Sequence, residues 1–120
     1  LDAKGNLHVD VLKIQHHGSE HNHKADMAEH VTADNYVFCG NGKHDNPDAR
    51  VVKLVCESHR KVRPIDKFTL WFNCAPDLAP AGKPRACMQK VKREVDDQIA
   101  ASGGKISARY LGKSFFDVTV

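Results

Sequence analysis

Short apolar runs alternate with longer amphipathic segments along the chain. Three runs of mostly apolar or β-branched residues predict strands: HVDVLKIQ at residues 8–15, NYVFCG at 35–40 and KFTLWF at 67–72. The first run shows little polar alternation, which is typical of a strand that is covered on both faces, and the second is also interpreted as a buried strand. In the third run, Phe68, Leu70 and Phe72 fall on the same face of the strand.

Apolar residues at helical spacing predict three helices between and after these strands. They are a short helix in HKADMAEHV up to Val31, a helix that Asn46 caps and Pro47 begins, and the longest helix, from Pro84 to about Ser102. The expected buried faces are Val51, Leu54 and Val55 in the second helix, and Cys87, Met88, Val91, Val95 and Ile99 in the third. The longest helix is expected to end at Gly103 and Gly104.

The C-terminal segment, KISARYLGKSFFDVTV, predicts two strands joined by a tight turn at Gly112–Lys113. The complete order is then β-α-β-α-β-α-β-β, which predicts an α/β layered sheet with helices and partly parallel pairing. Ligands of such sheets gather at the carboxyl ends of the strands. The polar, glycine-containing loops 16–23 and 40–46 both leave from such ends, so we expect them to face one crevice.

Composition and charge narrow the class of protein. With 120 residues, of which 41% are hydrophobic and 28% charged, the chain fits a single domain with its own core. It has no apolar run of the roughly 18 residues that a membrane span needs and no signal-like N-terminus, so we expect a cytoplasmic protein without membrane contact. The net charge of +3 permits an anionic ligand without requiring one.

The four cysteines lie inside apolar runs and form no CxxC pair, which argues against a zinc ribbon. We expect reduced, buried thiols and a bacterial-type cytoplasmic setting. Cysteine–histidine catalysis is not favoured, because no cysteine stands at a helix start in polar surroundings.

The segment KIQHHGSEHNH (13–23) places four histidines directly after the first strand. An imidazole at the tip of a rigid strand is a good ligand for zinc, manganese or iron, and Gly18 lets the chain turn away. Adjacent imidazoles point in different directions, so one of His16 and His17 is the candidate ligand and the other orients a carboxylate or contacts substrate. The alternative is a solvated loop that is rich in histidine, which is the preferred interpretation of His21 and His23.

The second polar loop, CGNGKHDNP, is a candidate anion site. Gly40 and Gly42 allow backbone amides to approach an anion, and Asn41 and His44 would then donate hydrogen bonds to a phosphate or carboxylate. The alternative is a glycine turn followed by an ordinary helix cap.

Basic residues are concentrated on the longest predicted helix: Lys83, Arg85, Lys90, Lys92 and Arg93. A solvated helix face explains them, and no aromatic residues are interleaved for stacking on bases. Nucleic acid is therefore a possible partner that the composition does not support.

Two segments, VDVLKIQHHGSEHN and ADNYVFCGNGKHDNP, together resemble the C-terminal part of metallo-β-lactamase-fold hydrolases. The similar branch is the one that contains the hydrolase domain of bacterial DNA-uptake (competence) channels, where DxLKxxHHGS precedes a strand and a Gly/Asn-rich loop with a histidine near a proline. The resemblance covers residues 8–58, and the remainder matches only in its broad α/β character.

The resemblance implies that His16, or as second choice His17, is the last ligand of a two-metal site, usually of zinc and otherwise of manganese or iron. His44, with Asn41, falls at the position of a substrate-side histidine, and Ser19 of the HHGS motif is assigned to the same side. In the family the metals polarise the scissile bond and generate a hydroxide nucleophile.

The chain departs from the family in lacking its main ligand cluster, His-x-His-x-Asp-His. We therefore interpret residues 1–120 as one partial domain, the C-terminal half of a hydrolase of phosphodiesters or related esters with an αββα sandwich fold. One ligand cannot hold a metal tightly, so the isolated chain is expected to be metal-free and inactive. The missing N-terminal half, or a second copy, would cover its exposed sheet face. Two alternatives remain: a degenerate domain of this fold used for binding or assembly, and an unrelated α/β anion- or metal-binding module.

Overall fold

The computed structural model describes residues 7–14 and 31–111. Their helices and strands are β1 (Leu7–Lys13), β2 (Val31–Phe38), α1 (Ala49–Val62), β3 (Phe68–Phe72), α2 (Lys83–Ala101) and β4 (Ile106–Tyr110), with short 3-10 helices at Lys43–Asp45 and Pro76–Leu78. Most of the first predicted helix and the whole strand predicted after Gly112 lie outside the described residues, as do His16, His17 and Ser19.

The four strands form one sheet in the order β1-β2-β3-β4, and every neighbouring pair is parallel. The α/β class expected from the sequence is confirmed, and within the described sheet the pairing is wholly parallel. Helices α1 and α2 connect successive strands and pack against each other. Because parallel crossovers are right-handed, connections that always step to the next strand place their helices on the same face of the sheet.

The core lies between that face and the two helices. Its largest buried strand residues are Tyr36, Phe38, Phe68, Leu70 and Phe72, which meet Val51, Val55, Val91 and Val95 of the helices. The predicted alternation of Phe68, Leu70 and Phe72 is confirmed, since all three are almost fully buried. No helix in the described parts of the chain is long and apolar enough to cross a membrane.

The opposite face of the sheet is less covered. Val11, Val37 and Trp71 alternate with the core residues of their strands, and Val11 remains 40% exposed. The prediction that β1 is covered on both faces was wrong: β1 is the edge strand of the described sheet, and none of its residues is buried.

Strand β2 begins earlier than the sequence predicted, at Val31, so Val31 belongs to a strand and not to a helix. The predicted strand began at Asn35, and the polar pair Asp34 and Asn35 gave no signal that the strand extends back to Val31. Pairing with β1 accounts for both side chains: His8 Nε2 lies 2.8 Å from Asp34 Oδ1, and Asn35 Nδ2 donates to the Asp10 carbonyl at 3.1 Å.

Helix α1 begins two residues later than predicted, and Asp48 caps it in place of Asn46. The Asp48 carboxylate accepts the Arg50 backbone N–H at 2.8 Å. The expected stripe is confirmed for Val51 and Val55, whereas Leu54 is only half-buried.

Helix α2 agrees with its predicted bounds to within a residue, and Met88, Val91 and Val95 are buried as expected. Cys87 and Ile99 of the predicted face are only half-buried. All four cysteines are described, and no disulfide joins them. Cys56 alone is fully buried, and burial raises the pKa of its thiol to about 12.

Candidate functional site

The carboxyl ends of β1 and β2 lie side by side. Lys13 pairs with Val37, and the Ile14 backbone N–H donates to the Val37 carbonyl at 2.9 Å. The Ile14 side chain is 1% exposed, so it anchors the chain just before the histidine-rich segment. That segment and the 40–46 loop therefore depart from the same edge of the sheet.

The 40–46 loop is held by its own backbone. Gly40 N–H donates to Asn73 Oδ1 at 2.9 Å, and Gly42 N–H donates to the Asn46 carbonyl at 2.8 Å. The two amides that the sequence offered to an anion are thus already used, one to attach the loop to the end of β3 and one to close the loop on itself. An anion at this loop would therefore not be bound by these two amides.

Gly42 is required by close packing. Its φ is 91°, and a Cβ there would lie 1.9 Å from the carbonyl oxygen of Pro84. No side chain fits between the loop and the first turn of α2, so the loop is docked against that helix.

Asn41 and His44 stand on the outer part of this loop. Asn41 is half-buried, and its Oδ1 accepts the Lys43 backbone N–H at 3.2 Å, which leaves the amide NH₂ to face a ligand. His44 is exposed and adopts a left-handed backbone conformation (φ 57°, ψ 32°), which is uncommon for a residue other than glycine. Its imidazole makes no hydrogen bond to another described residue, so both ring nitrogens are open to a substrate or a water.

Within residues 7–14 and 31–111, no three histidine, cysteine or acidic side chains are grouped so that they could hold a metal ion. His44 by itself could provide only one ligand to a metal ion. The described residues therefore form no metal site alone, and the candidate ligands His16 and His17 lie outside them.

His59 and His8 lie near each other at the opposite, amino-terminal edge of the sheet, which the sequence did not predict. His59, in the last turn of α1, is 0% exposed, and its Nδ1 lies 2.9 Å from the Tyr36 hydroxyl. Its ring packs on Phe68, with centroids 3.9 Å apart. Burial, reinforced by nearby His8, lowers the pKa of His59 to about 4, so the ring is neutral at pH 7 and acts as a packed core residue.

A basic groove runs between the first turn of α1 and the first three turns of α2. Its charged lining residues are Asp48, Arg50, Lys83, Lys90 and Arg93. The sequence identified the α2 members as one helix face, but Arg50 was missed because it lies far from them along the chain.

No protein-family profile, curated protein or solved structure matches this chain. The resemblance to metallo-β-lactamase-fold hydrolases therefore rests on the two quoted segments, whose described parts are β1, β2 and the 40–46 loop.

Proposed function

We propose that this chain is the C-terminal part of a metal-dependent hydrolase of the metallo-β-lactamase type, which cleaves a phosphodiester or related ester with metal-activated water. The observation that carries this proposal is the parallel pairing of β1 with β2. It places the end of β1, after which the HHGS motif follows in the sequence, beside the end of β2, which leads into the loop with Asn41 and His44.

The roles of the chain's own residues follow from their chemistry. His16, or else His17, would contribute one imidazole to the metal, and Ser19 is assigned to substrate binding. His44 and Asn41 would donate hydrogen bonds to the non-bridging oxygens of the substrate, because the His44 ring nitrogens and the Asn41 amide NH₂ make no hydrogen bond to another described residue. The metal ions supply Lewis acidity and a nucleophilic hydroxide.

The way in which the described helices and sheet are layered supports the proposal that this chain forms one half of an αββα sandwich. Both helices cover one face of the sheet, while Val11, Val37 and Trp71 leave a partly apolar strip on the other. A second sheet from an N-terminal half, or from another copy, would bury this strip in an αββα arrangement. The same partner would bring the remaining metal donors, since no group of three is present among the described residues.

A direct test is to read the coding sequence immediately upstream of Leu1 and assay the extended protein on bis(p-nitrophenyl) phosphate with added zinc. The proposal expects His-x-His-x-Asp-His upstream and metal-dependent hydrolysis. Replacing the true ligand, by His16→Ala or His17→Ala, should lower kcat/KM by at least about 100-fold, and His44→Ala should lower it by about 10-fold or more.

His21→Ala is the matched control, because His21 belongs to the same segment but has no assigned role. Absence of the upstream motif would contradict the proposal, and so would hydrolysis that survives both the His16 and His17 substitutions. Tight stoichiometric zinc binding by the 120-residue chain alone would favour a metal-binding module instead.

A further inference from the structure

The groove between α1 and α2 has a volume of about 570 Å³ and is bounded by Asp48–Arg50 on one side and by one face of α2 from Lys83 to Arg93 on the other. We call it the cationic groove. Ala49 and Ala86 line it with small side chains, so its polar character comes from the long side chains around them.

The charge of the cationic groove is strongly positive. Four basic side chains line it, and Asp48 is the one acidic residue among its lining residues. Burial alone would raise the pKa of Asp48, but hydrogen bonds from the Arg50 side chain and backbone, with the charges of Arg50 and Lys90, lower it overall. Asp48 is thus an ionised helix cap that is bound by Arg50, and its single negative charge offsets only part of the positive charge of the groove.

Among the described residues, no acidic side chain lies within ion-pair distance of the other three cations. Lys83, Lys90 and Arg93 make no hydrogen bond or ion pair with another described residue. Basic residues on the remaining faces of α2 differ: Lys92 pairs with Asp96 at 2.8 Å, and Arg85 donates twice to the Ala79 carbonyl. On α2, the three basic side chains without a hydrogen bond or ion pair to another described residue are therefore the three that line the groove.

The positive charges are distributed along a line. Lys83 and Arg93 are ten residues apart on one helix, which corresponds to about 15 Å at 1.5 Å per residue, with Lys90 between them. Such spacing suits several anionic groups in a row better than a single anion, which would need the cations to converge. No aromatic residue lines the groove, so bases would not be stacked there.

We propose that the cationic groove binds a linear chain of phosphates, either the backbone of a nucleic acid or inorganic polyphosphate. Binding is electrostatic and independent of base sequence. It requires no metal and does not depend on the hydrolase assignment, so the two proposals fail separately.

The experiment is a fluorescence-anisotropy titration of the chain with a labelled single-stranded oligonucleotide, repeated over a range of salt concentrations in the presence of a chelator. With about three phosphates neutralised, the plot of log K against log salt should have a slope near −2. The double substitution Lys83→Gln with Lys90→Gln should weaken binding by at least about 10-fold and bring this slope closer to zero by about 1.4.

The matched control is Lys53→Gln with Lys92→Gln, which removes the same charge from exposed positions that do not line the groove. It should leave affinity within about 3-fold of the unmodified chain, as expected for charges screened from the ligand. Unlabelled polyphosphate and unlabelled oligonucleotide then compete for the site, and the stronger competitor per phosphate identifies the natural source.

Three results would overturn the proposal. They are an absence of salt-dependent binding, an equal loss of binding in the groove and control variants, and competition by inorganic phosphate that matches polyphosphate per phosphate group.

Discussion

The hydroxyl of Tyr36 in β2 lies 2.9 Å from Nδ1 of His59 in α1, inside the interface between sheet and helices. The same hydroxyl accepts the Ala33 backbone N–H at 3.1 Å, and it can pair with Nδ1 in either neutral tautomer of His59, because a hydroxyl both donates and accepts. One hydroxyl thus satisfies two buried polar groups.

Removing this hydroxyl should destabilise the fold. Tyr36→Phe leaves Nδ1 of His59 and the Ala33 N–H without partners, and we expect the free energy of unfolding to fall by about 1–3 kcal/mol. Urea denaturation followed by circular dichroism measures it. The control is Tyr110→Phe, because the Tyr110 hydroxyl is buried without a hydrogen-bond partner among the described residues, and its loss should leave the free energy of unfolding unchanged or raise it. Equal effects of the two substitutions would contradict the assigned network.

Stability should fall in mild acid because of His59. Its pKa is lowered from 6.5 to about 4 in the folded chain, so between these values the unfolded chain takes up a proton that the folded chain does not. The contribution of His59 to the free energy of unfolding is therefore fully present above pH 6.5, and it should fall by roughly 3 kcal/mol as the pH falls to 4.

His59→Gln should remove that part of the pH dependence, even though it lowers stability at neutral pH. Denaturation midpoints of both proteins across this pH range give the comparison. Parallel pH profiles would show that His59 is not the titrating group.

The contact between the 40–46 loop and α2 should depend on Gly42. Gly42→Ala adds a Cβ 1.9 Å from the Pro84 carbonyl oxygen at a φ of 91°, so both steric overlap and backbone strain oppose it. We expect a loss of about 3 kcal/mol or more, against about 1–2 kcal/mol for Gly104→Ala, which is strained but open. Thermal denaturation of both variants tests this, and an equal loss would mean that the loop is not docked on α2.

The strip on the second sheet face should promote self-association of the isolated chain. Val11 is 40% exposed there, beside the unpaired edge of β1 in the described sheet, and a charge at this position should weaken association by at least about 10-fold. Sedimentation velocity of Val11→Glu over a concentration series provides the measurement. Ile65→Glu is the control, since Ile65 is 79% exposed in the turn after α1. A chain that is monomeric at every concentration would contradict the expectation.

Local signals determined which elements the sequence predicted well. The alternation of Phe68, Leu70 and Phe72 identifies β3, and Gly103 with Gly104 marks the end of α2. Residues 31–34 of β2 were missed because Asp34 looks like a loop residue, and the partners that accommodate Asp34 and Asn35 come from β1.

The candidate site was predictable only as far as topology determines it. Strand order implies that the loops after β1 and β2 share an edge, but not that Asn73 and Asn46 already bind the glycine amides. The cationic groove was missed for a similar reason. Arg50 and Lys90 are brought to one groove by the packing of α1 on α2, which no local pattern shows.

One imidazole holds a metal only weakly, but an excess of Mn²⁺ added to the ¹⁵N-labelled chain would report even transient binding at His16 or His17, by broadening nearby backbone amide signals. We expect the strongest broadening at Ile14, Gly40 and Asn41, and its loss when His16→Ala and His17→Ala are combined. Broadening centred on His8 at the opposite edge, or unchanged by the double substitution, would contradict the account.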